Sequence, residues 1–227
     1  MTNRRNLLAL AAAGLAVTGG GALFWPHRDS ETGAVSFDLG AARAQGSIAI
    51  EDMRMGDPNA PVEVIEYASY TCPHCANFHN DTFKAFKAEY IDTGKVNFIY
   101  REVYFDRYGL WASMMARCGG GTKFFGISDL LYDSQEAWSR QADPAAVAES
   151  IKRIGLQAGL DQVTVDACMQ DAAMAESLYA WYQGNAERDG IRSTPSFMIN
   201  GEMHAGNLGL AAIGRLVDEA AAAAVAH

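Results

Sequence analysis

Val62-Glu63-Val64-Ile65-Glu66-Tyr67-Ala68-Ser69-Tyr70-Thr71-Cys72-Pro73-His74-Cys75 is the stretch that decides how this chain folds. From Val62 to Ser69, apolar residues occupy both alternating faces, Val62, Val64 and Ala68 on one and Ile65 and Tyr67 on the other. That pattern belongs to a central strand covered on both sides. Pro73 stands where the first residue of a helix should be, its φ already fixed and with no N–H to leave unsatisfied. An amphipathic helix pattern follows from Ala76 to Tyr90, with Phe83, Phe86 and Tyr90 at i, i+3 and i+7 and Phe78 two turns before Phe86. Strand, tight turn and helix therefore meet at a Cys-x-x-Cys pair, a context that points to redox chemistry. Unpaired amides and the positive end of the helix dipole favour a thiolate at Cys72. His74, inside the turn, can add a hydrogen bond or positive charge to the same sulfur. A low thiol pKa makes Cys72 a good leaving group, so a disulfide to Cys75 is readily handed on. Cys75, one turn into the helix and more covered, is the natural resolving thiol.

Glu66 is conspicuous as a carboxylate among valines on the same strand. Two readings stand side by side: a buried acid that relays protons to Cys75 during exchange, or a glutamate near a strand end that reaches solvent or a lysine. A zinc site would need two further ligands, and only His79 is near at hand; one turn beyond Cys75, it reads as a solvated helix residue. A c-type haem would need His after Cys75, where the chain has Ala76. The sequence thus calls for no cofactor and no metal.

With 227 residues, 49% of them hydrophobic, the chain can bury one good core, as one domain or one domain with an insertion. A net charge of −9 with no basic stripe argues against nucleic acid. The N-terminus carries Arg4-Arg5 ahead of an apolar Ala/Gly-rich run from Leu7 to Trp25, the n-region and h-region of an export signal, open to a twin-arginine reading. At ~1.5 Å per residue that run also just crosses a bilayer, so residues 7–25 are equally readable as an inner-membrane tether. The nearest small-x-small site is Ala42-Arg43-Ala44. Residues 1–25 are assigned as export signal or membrane anchor and 26–46 as a polar linker. Export places the chain in the periplasm, where disulfides persist. Cys118 and Cys168, the two cysteines left over, then read as a structural disulfide worth roughly 4 kcal/mol by loop-closure entropy, with buried free thiols as the rival.

Further along, Ser47 to Met55 suggests a short edge strand and Val96 to Val103 a second core strand, completing a β-α-β unit with parallel strands. From Tyr104 to about Gly190 the signal is helical. Leu110, Trp111, Met114, Met115 and Cys118 share one period that Gly119-Gly120-Gly121 stops. Phe124 to Trp138, a helix capped by Asp143-Pro144, Val163 to Met169, and Ala172 to Asp189 follow, the last expected to bury Met174, Leu178, Trp181 and Tyr182. Asn200-Gly201 between apolar runs predicts a hairpin, and Asn207 a cap for the final helix. The order is β-β-α-β-(helices)-β-β-α.

That order, with Cys72-Pro73-His74-Cys75 ahead of a helical insertion and Thr194-Pro195 ahead of a hairpin, resembles the DsbA family of bacterial thiol-disulfide oxidoreductases in the thioredoxin superfamily, from roughly Ile48 onward. The resemblance implies an α/β thioredoxin fold made of residues 47–106 and 191–227, with an all-helical insertion at 107–190. It implies that Cys72 forms a mixed disulfide with substrate and Cys75 resolves it, that Glu66 is the family's buried glutamate, and that Pro195 is cis and faces the active disulfide. It further implies reduced or unfolded exported proteins as substrates and a membrane reoxidant resembling DsbB. One position departs: Thr194 stands where DsbA-type oxidases often carry Val, and is more familiar in isomerases. The alternatives are therefore a disulfide isomerase or reductase, or a thioredoxin-fold module that binds metal or chaperones clients without net oxidation.

Overall fold

The computed structural model describes residues 48–225; the segments read as export signal or anchor and as linker, 1–25 and 26–46, lie outside the described residues. Among the described residues, strands β1 (Met53–Met55), β2 (Val62–Ala68), β3 (Val96–Glu102), β4 (Ser196–Ile199) and β5 (Glu202–Ala205) form a sheet in the order β1-β3-β2-β4-β5. The stretch at Val62 is the central strand because both its faces are apolar. It runs parallel to β3, Val62 opposite Val96 and Ala68 opposite Glu102, and antiparallel to β4. The crossover that a parallel pair requires is the helix 73–91, α1. Its course widens to π-type turns at Phe78–Phe83 and Lys87–Ile91.

Between β3 and β4 come α2 (Arg107–Cys118), α3 (Gly120–Asp133), α4 (Gln135–Ser139), α5 (Pro144–Gln157), α6 (Gln162–Met169) and α7 (Ala172–Arg188); α8 (Leu210–Val225) follows the hairpin. Asp106, Asp143, Asp161 and Asp171 each accept hydrogen bonds from first-turn amides of the helix they precede, which explains where α2, α5, α6 and α7 begin. Asn200 (φ 45°) and Gly201 (φ 87°) form the two-residue turn joining β4 to β5, a backbone that Asn and Gly tolerate best.

One face of the sheet, through Val64, Phe98 and Tyr100, packs on Phe78, Phe83 and Phe86 of α1 and Ile213 and Val217 of α8, and the same core runs on into α2, α3 and α5. The other face, Ile65, Tyr67, Ile99 and Val103, is covered by Tyr182 and Ile191. Two ion pairs tie the insertion to the sheet. Arg117 on α2 grips Glu102 with two bonds of 2.6 and 2.7 Å, both side chains nearly fully buried. Arg101 on β3 reaches Asp189 just beyond α7 at 3.1 Å.

Several expectations are corrected. The edge strand is confined to Met53–Met55, because at Ile48 the chain has left the sheet and its amide donates to Ser177 on α7 (3.0 Å). Gly120 takes φ 63° and redirects the chain straight into α3, so the glycine run is a corner between helices and not a stop. The helix expected over Phe124 to Trp138 breaks at Ser134, whose hydroxyl bonds back to the Leu130 carbonyl (2.7 Å). Asn207 does not cap α8, because the carbonyl of Gly209 takes its first amides. In α7 Leu178 is fully buried while Met174, Trp181 and Tyr182 are half-buried; the Trp181 ring lies against the guanidiniums of Arg117 and Arg101, at 5.4 and 6.0 Å.

Cys118 at the end of α2 and Cys168 in α6 are joined, S–S 2.08 Å, across a sequence separation of 50. By the loop-entropy relation a bridge of that span is worth about 4 kcal/mol. Replacing both cysteines by Ala is expected to lower unfolding free energy by about that amount, read from denaturant midpoint and slope together, the slope rising as the unfolded chain loses its cross-link.

Candidate active site

The turn after β2 is held from three sides. Cys72 occupies the cap position before α1, in extended conformation (φ −83°, ψ 119°), with Pro73 as first helical residue. Its amide donates to the Ser69 carbonyl (3.1 Å), and its carbonyl accepts from Ala76 (3.2 Å). From the insertion, Gln135 donates its side-chain amide to the carbonyls of both Tyr70 (2.8 Å) and Cys72 (2.9 Å). Asp106, while capping α2, also accepts from the Thr71 hydroxyl (2.8 Å). The turn is thus fixed by side chains distant in sequence, and Cys72 stays at the helix start.

The third side is the segment before β4. The Thr194–Pro195 peptide is cis, and the Cys72 thiol donates to the Thr194 carbonyl at 3.4 Å. In this thiol form the Thr194 hydroxyl is buried without a partner. Ionisation of Cys72 supplies the acceptor that this hydroxyl lacks.

The two sulfurs lie in opposite surroundings. Cys72 is 9% exposed and Cys75 fully buried. The Cys72 pKa falls from 9.0 to about 5; the largest cause is a hydrogen bond from the Cys75 thiol, opposed by burial and supported by the Thr194 hydroxyl and the amides of Cys75 and His74. Burial pushes the Cys75 thiol well up, reinforced by its role as donor to Cys72 and by the charge of Glu66. One thiolate is thereby stabilised and the other suppressed. His74 contributes its backbone amide, and its side chain is exposed to solvent.

Glu66 is fully buried on β2, between Tyr100 on β3 and Phe197 on β4, so the reading in which it reaches solvent is corrected. The partner is His79, on α1. Nε2 of His79 and Oε2 of Glu66 lie 2.9 Å apart, and the histidine is 3% exposed. The expectation of a solvated His79 is thus overturned: its ring stacks on Tyr132 at 4.2 Å and 14° and packs against Phe83. His79 stands four residues after Cys75, four before Phe83 and seven before Phe86, so the helical period already carried it inward. Gln135, by contrast, had no sequence signal. Cys72, Cys75, Thr194 and Pro195 come together at one surface, with Glu66 acting on Cys75. Among the described residues no three of His, Cys, Asp and Glu are grouped to hold a metal ion.

These shifts set a pH dependence. A Cys72 thiol at about 5 when folded, against an ordinary thiol when unfolded, stabilises the reduced protein fully above the unfolded value, and that stability is lost as pH falls through 5. The raised Cys75 adds no slope in this window, being protonated in both states. The oxidised protein, with no thiol at either position, lacks the effect. The contribution of Cys72 to the difference in unfolding free energy, reduced minus oxidised, is therefore expected to rise from about pH 5 towards 8 with a slope approaching 1.4 kcal/mol per pH unit. Paired denaturant titrations of the two redox forms measure it.

Comparison with known proteins agrees with this architecture. The sequence model of the thioredoxin family matches residues 49–219. A Rickettsia bellii protein with the provisional name of protein-disulfide oxidoreductase is 32% identical over 170 residues, 74% of this chain and 64% of that protein. The chain thus spans less than two thirds of that relative's length. Among solved structures, alpha-DsbA1 of Wolbachia pipientis aligns with a TM-score of 0.72 and 28% identity over 79% of this chain and 95% of its own. A protein-disulfide isomerase from Novosphingobium aromaticivorans aligns at 0.64 with 25% identity, over 74% and 99%. A family match over most of its length and a fold shared with these proteins, helical insertion included, make this chain a member of the thioredoxin family, among its DsbA-like proteins.

Proposed function

We propose that this protein is a thiol-disulfide oxidoreductase that donates the Cys72–Cys75 disulfide to reduced exported proteins. A client thiolate attacks Cys72, the Cys72–Cys75 bond breaks, and Cys75 leaves as the thiol that later resolves or reforms the pair. A second client thiol displaces Cys72, whose thiolate is a stable leaving group, and the client departs oxidised. Glu66 exchanges the proton that Cys75 needs, and Thr194 and Pro195 flank the attacked sulfur, where an extended client segment can pair with the backbone. The observation that carries the proposal is the asymmetry of the sulfurs: the surroundings of Cys72, 9% exposed, favour its thiolate, while those of Cys75, fully buried, favour its thiol. Stabilising the reduced form in this way makes the disulfide oxidising. The surroundings that suit it are the periplasm, with the 7–25 segment as cleaved signal or inner-membrane tether and a membrane partner resembling DsbB as reoxidant.

A second reading, isomerase or reductase, is favoured by one observation, the Thr194 hydroxyl beside Cys72, which can hold the released thiolate and change how fast a client leaves. Feeding the protein a reduced and a scrambled substrate separates the two. For the oxidase, the Cys72–Cys75 couple should be more oxidising than glutathione, Cys72→Ser should abolish turnover, and Cys75→Ser should accumulate the mixed disulfide, seen as a thiol-sensitive band shift. A couple more reducing than glutathione would sink the proposal.

A further inference from the structure

His79 and Glu66 form a buried pair with two loose ends. Glu66 Oε1 and His79 Nδ1 are both buried and have no hydrogen-bond partner, while Oε2 and Nε2 are bonded to each other at 2.9 Å. The titratable groups facing the pair are Cys75 from its own helix, Tyr100 from β3, and Tyr132, with Asp129 farther out, from α3. Tyr100 and Tyr132 are held protonated by burial, and their hydroxyls bond to each other at 2.6 Å. Asp129 is only partly buried, its acid raised first by that burial. An imidazolium at His79 would leave an Nδ1–H unsatisfied in an aromatic cage, at a cost on the order of 1–3 kcal/mol. A neutral ring protonated on Nε2 leaves a bare Nδ1 and donates to Oε2.

We propose that His79 is a positioning residue whose Nε2–H holds Oε2 of Glu66 and thereby makes Oε1 the oxygen that gives a proton to Cys75 and takes it back. This rests on the reading of Cys72 as the sulfur attacked by the client. On attack, a bond forms between the client sulfur and Cys72, the Cys72–Cys75 bond breaks, and its electron pair leaves on Cys75. The proton on Glu66 Oε1 moves to that thiolate. Glu66 becomes a carboxylate, and the bond from His79 becomes charge-assisted and stronger, so the buried negative charge passes from sulfur to a prepared acceptor. Reoxidation runs the same steps in reverse. Without His79 the carboxylate would be buried with no donor, and Glu66 would hold its proton back from Cys75.

The test is single-turnover reduction of the oxidised full chain by glutathione, from about pH 5 to 8. His79→Phe, which keeps an aromatic ring on Tyr132, is expected to slow the reaction about 10-fold or more and to change its pH profile, since positioned acids contribute about 10²–10⁴-fold. His79→Gln, which can still donate to Oε2, should restore most of the rate. The ultraviolet titration of the Cys72 thiolate should be the same in both. In the wild-type protein, ¹⁵N spectra should show His79 protonated on Nε2 alone in both redox forms. A His79→Phe profile that superimposes on wild type, or a His79 ring protonated on both nitrogens, would overturn the proposal. Glu66→Gln separates the layers: if it slows exchange while His79→Phe does not, the role of Glu66 stands and that of His79 falls. The Cys72→Ser control bears on the underlying reading alone.

Discussion

Cys72 and Cys75 are near neighbours shifted in opposite directions from an ordinary thiol: Cys72 downward, chiefly by the hydrogen bond from the Cys75 thiol, and Cys75 upward, chiefly by burial. At the first position Pro73 removes an amide that would have had no partner, and the remaining amides of the first turn converge on Cys72. One turn on, the same helix carries Cys75 onto the buried face, where a charged sulfur has no water. The helix start therefore adds its amides to the hydrogen bond that Cys75 gives Cys72, while burial suppresses the second thiolate. The rest of the molecule is arranged so that the helix cannot begin elsewhere.

That fixing comes largely from the insertion. Gln135 takes the carbonyls on either side of Thr71, and Asp106 takes the Thr71 hydroxyl while capping α2. The Arg117–Glu102 pair ties the last turn of α2 to the end of β3. Breaking such a buried pair is costly because it strands a charge, so α2 is held to the sheet at one end and to the redox turn at the other. The helices between β3 and β4 thus act on the chemistry through the backbone of the turn and need not touch the sulfurs. Thr194 reaches Cys72 from the other half of the sheet, by a segment that β4 aligns against β2.

Much of this was legible in the residues. The two-faced apolar run at Val62, Pro73 after Cys72 and the Asn200-Gly201 hairpin each act through local rules, and the element order and central strand follow from them. The boundaries inside the helical block were less legible because they turn on single residues: a positive φ at Gly120 or a back-bonded hydroxyl at Ser134 decides a corner that periodicity cannot see. His79 was misread for a different reason. Its spacing from Cys75, Phe83 and Phe86 put it on the buried stripe, but its polarity suggested solvent, and position outweighs polarity when a buried partner exists. That partner, Glu66, lies on another element, and one strand alone could not reveal it. Gln135 had no signal because its partners are backbone carbonyls brought near only by tertiary structure.

The surroundings of Glu66 explain why such a pair can persist in a core. Tyr100 and Tyr132 lie beside it with Tyr70 packed against both, and Tyr70 is bonded to Ser128 and Tyr100 to Tyr132, each at 2.6 Å. The carboxyl group has His79 as its hydrogen-bond neighbour at one oxygen and no partner at the other. Solvent is excluded there and burial keeps the phenols neutral, so the charge of Glu66 is felt by Cys75, whose thiol it helps to hold protonated. The aromatic cage therefore does more than fill volume. It keeps one carboxyl group out of water and close enough for its charge to bear on Cys75.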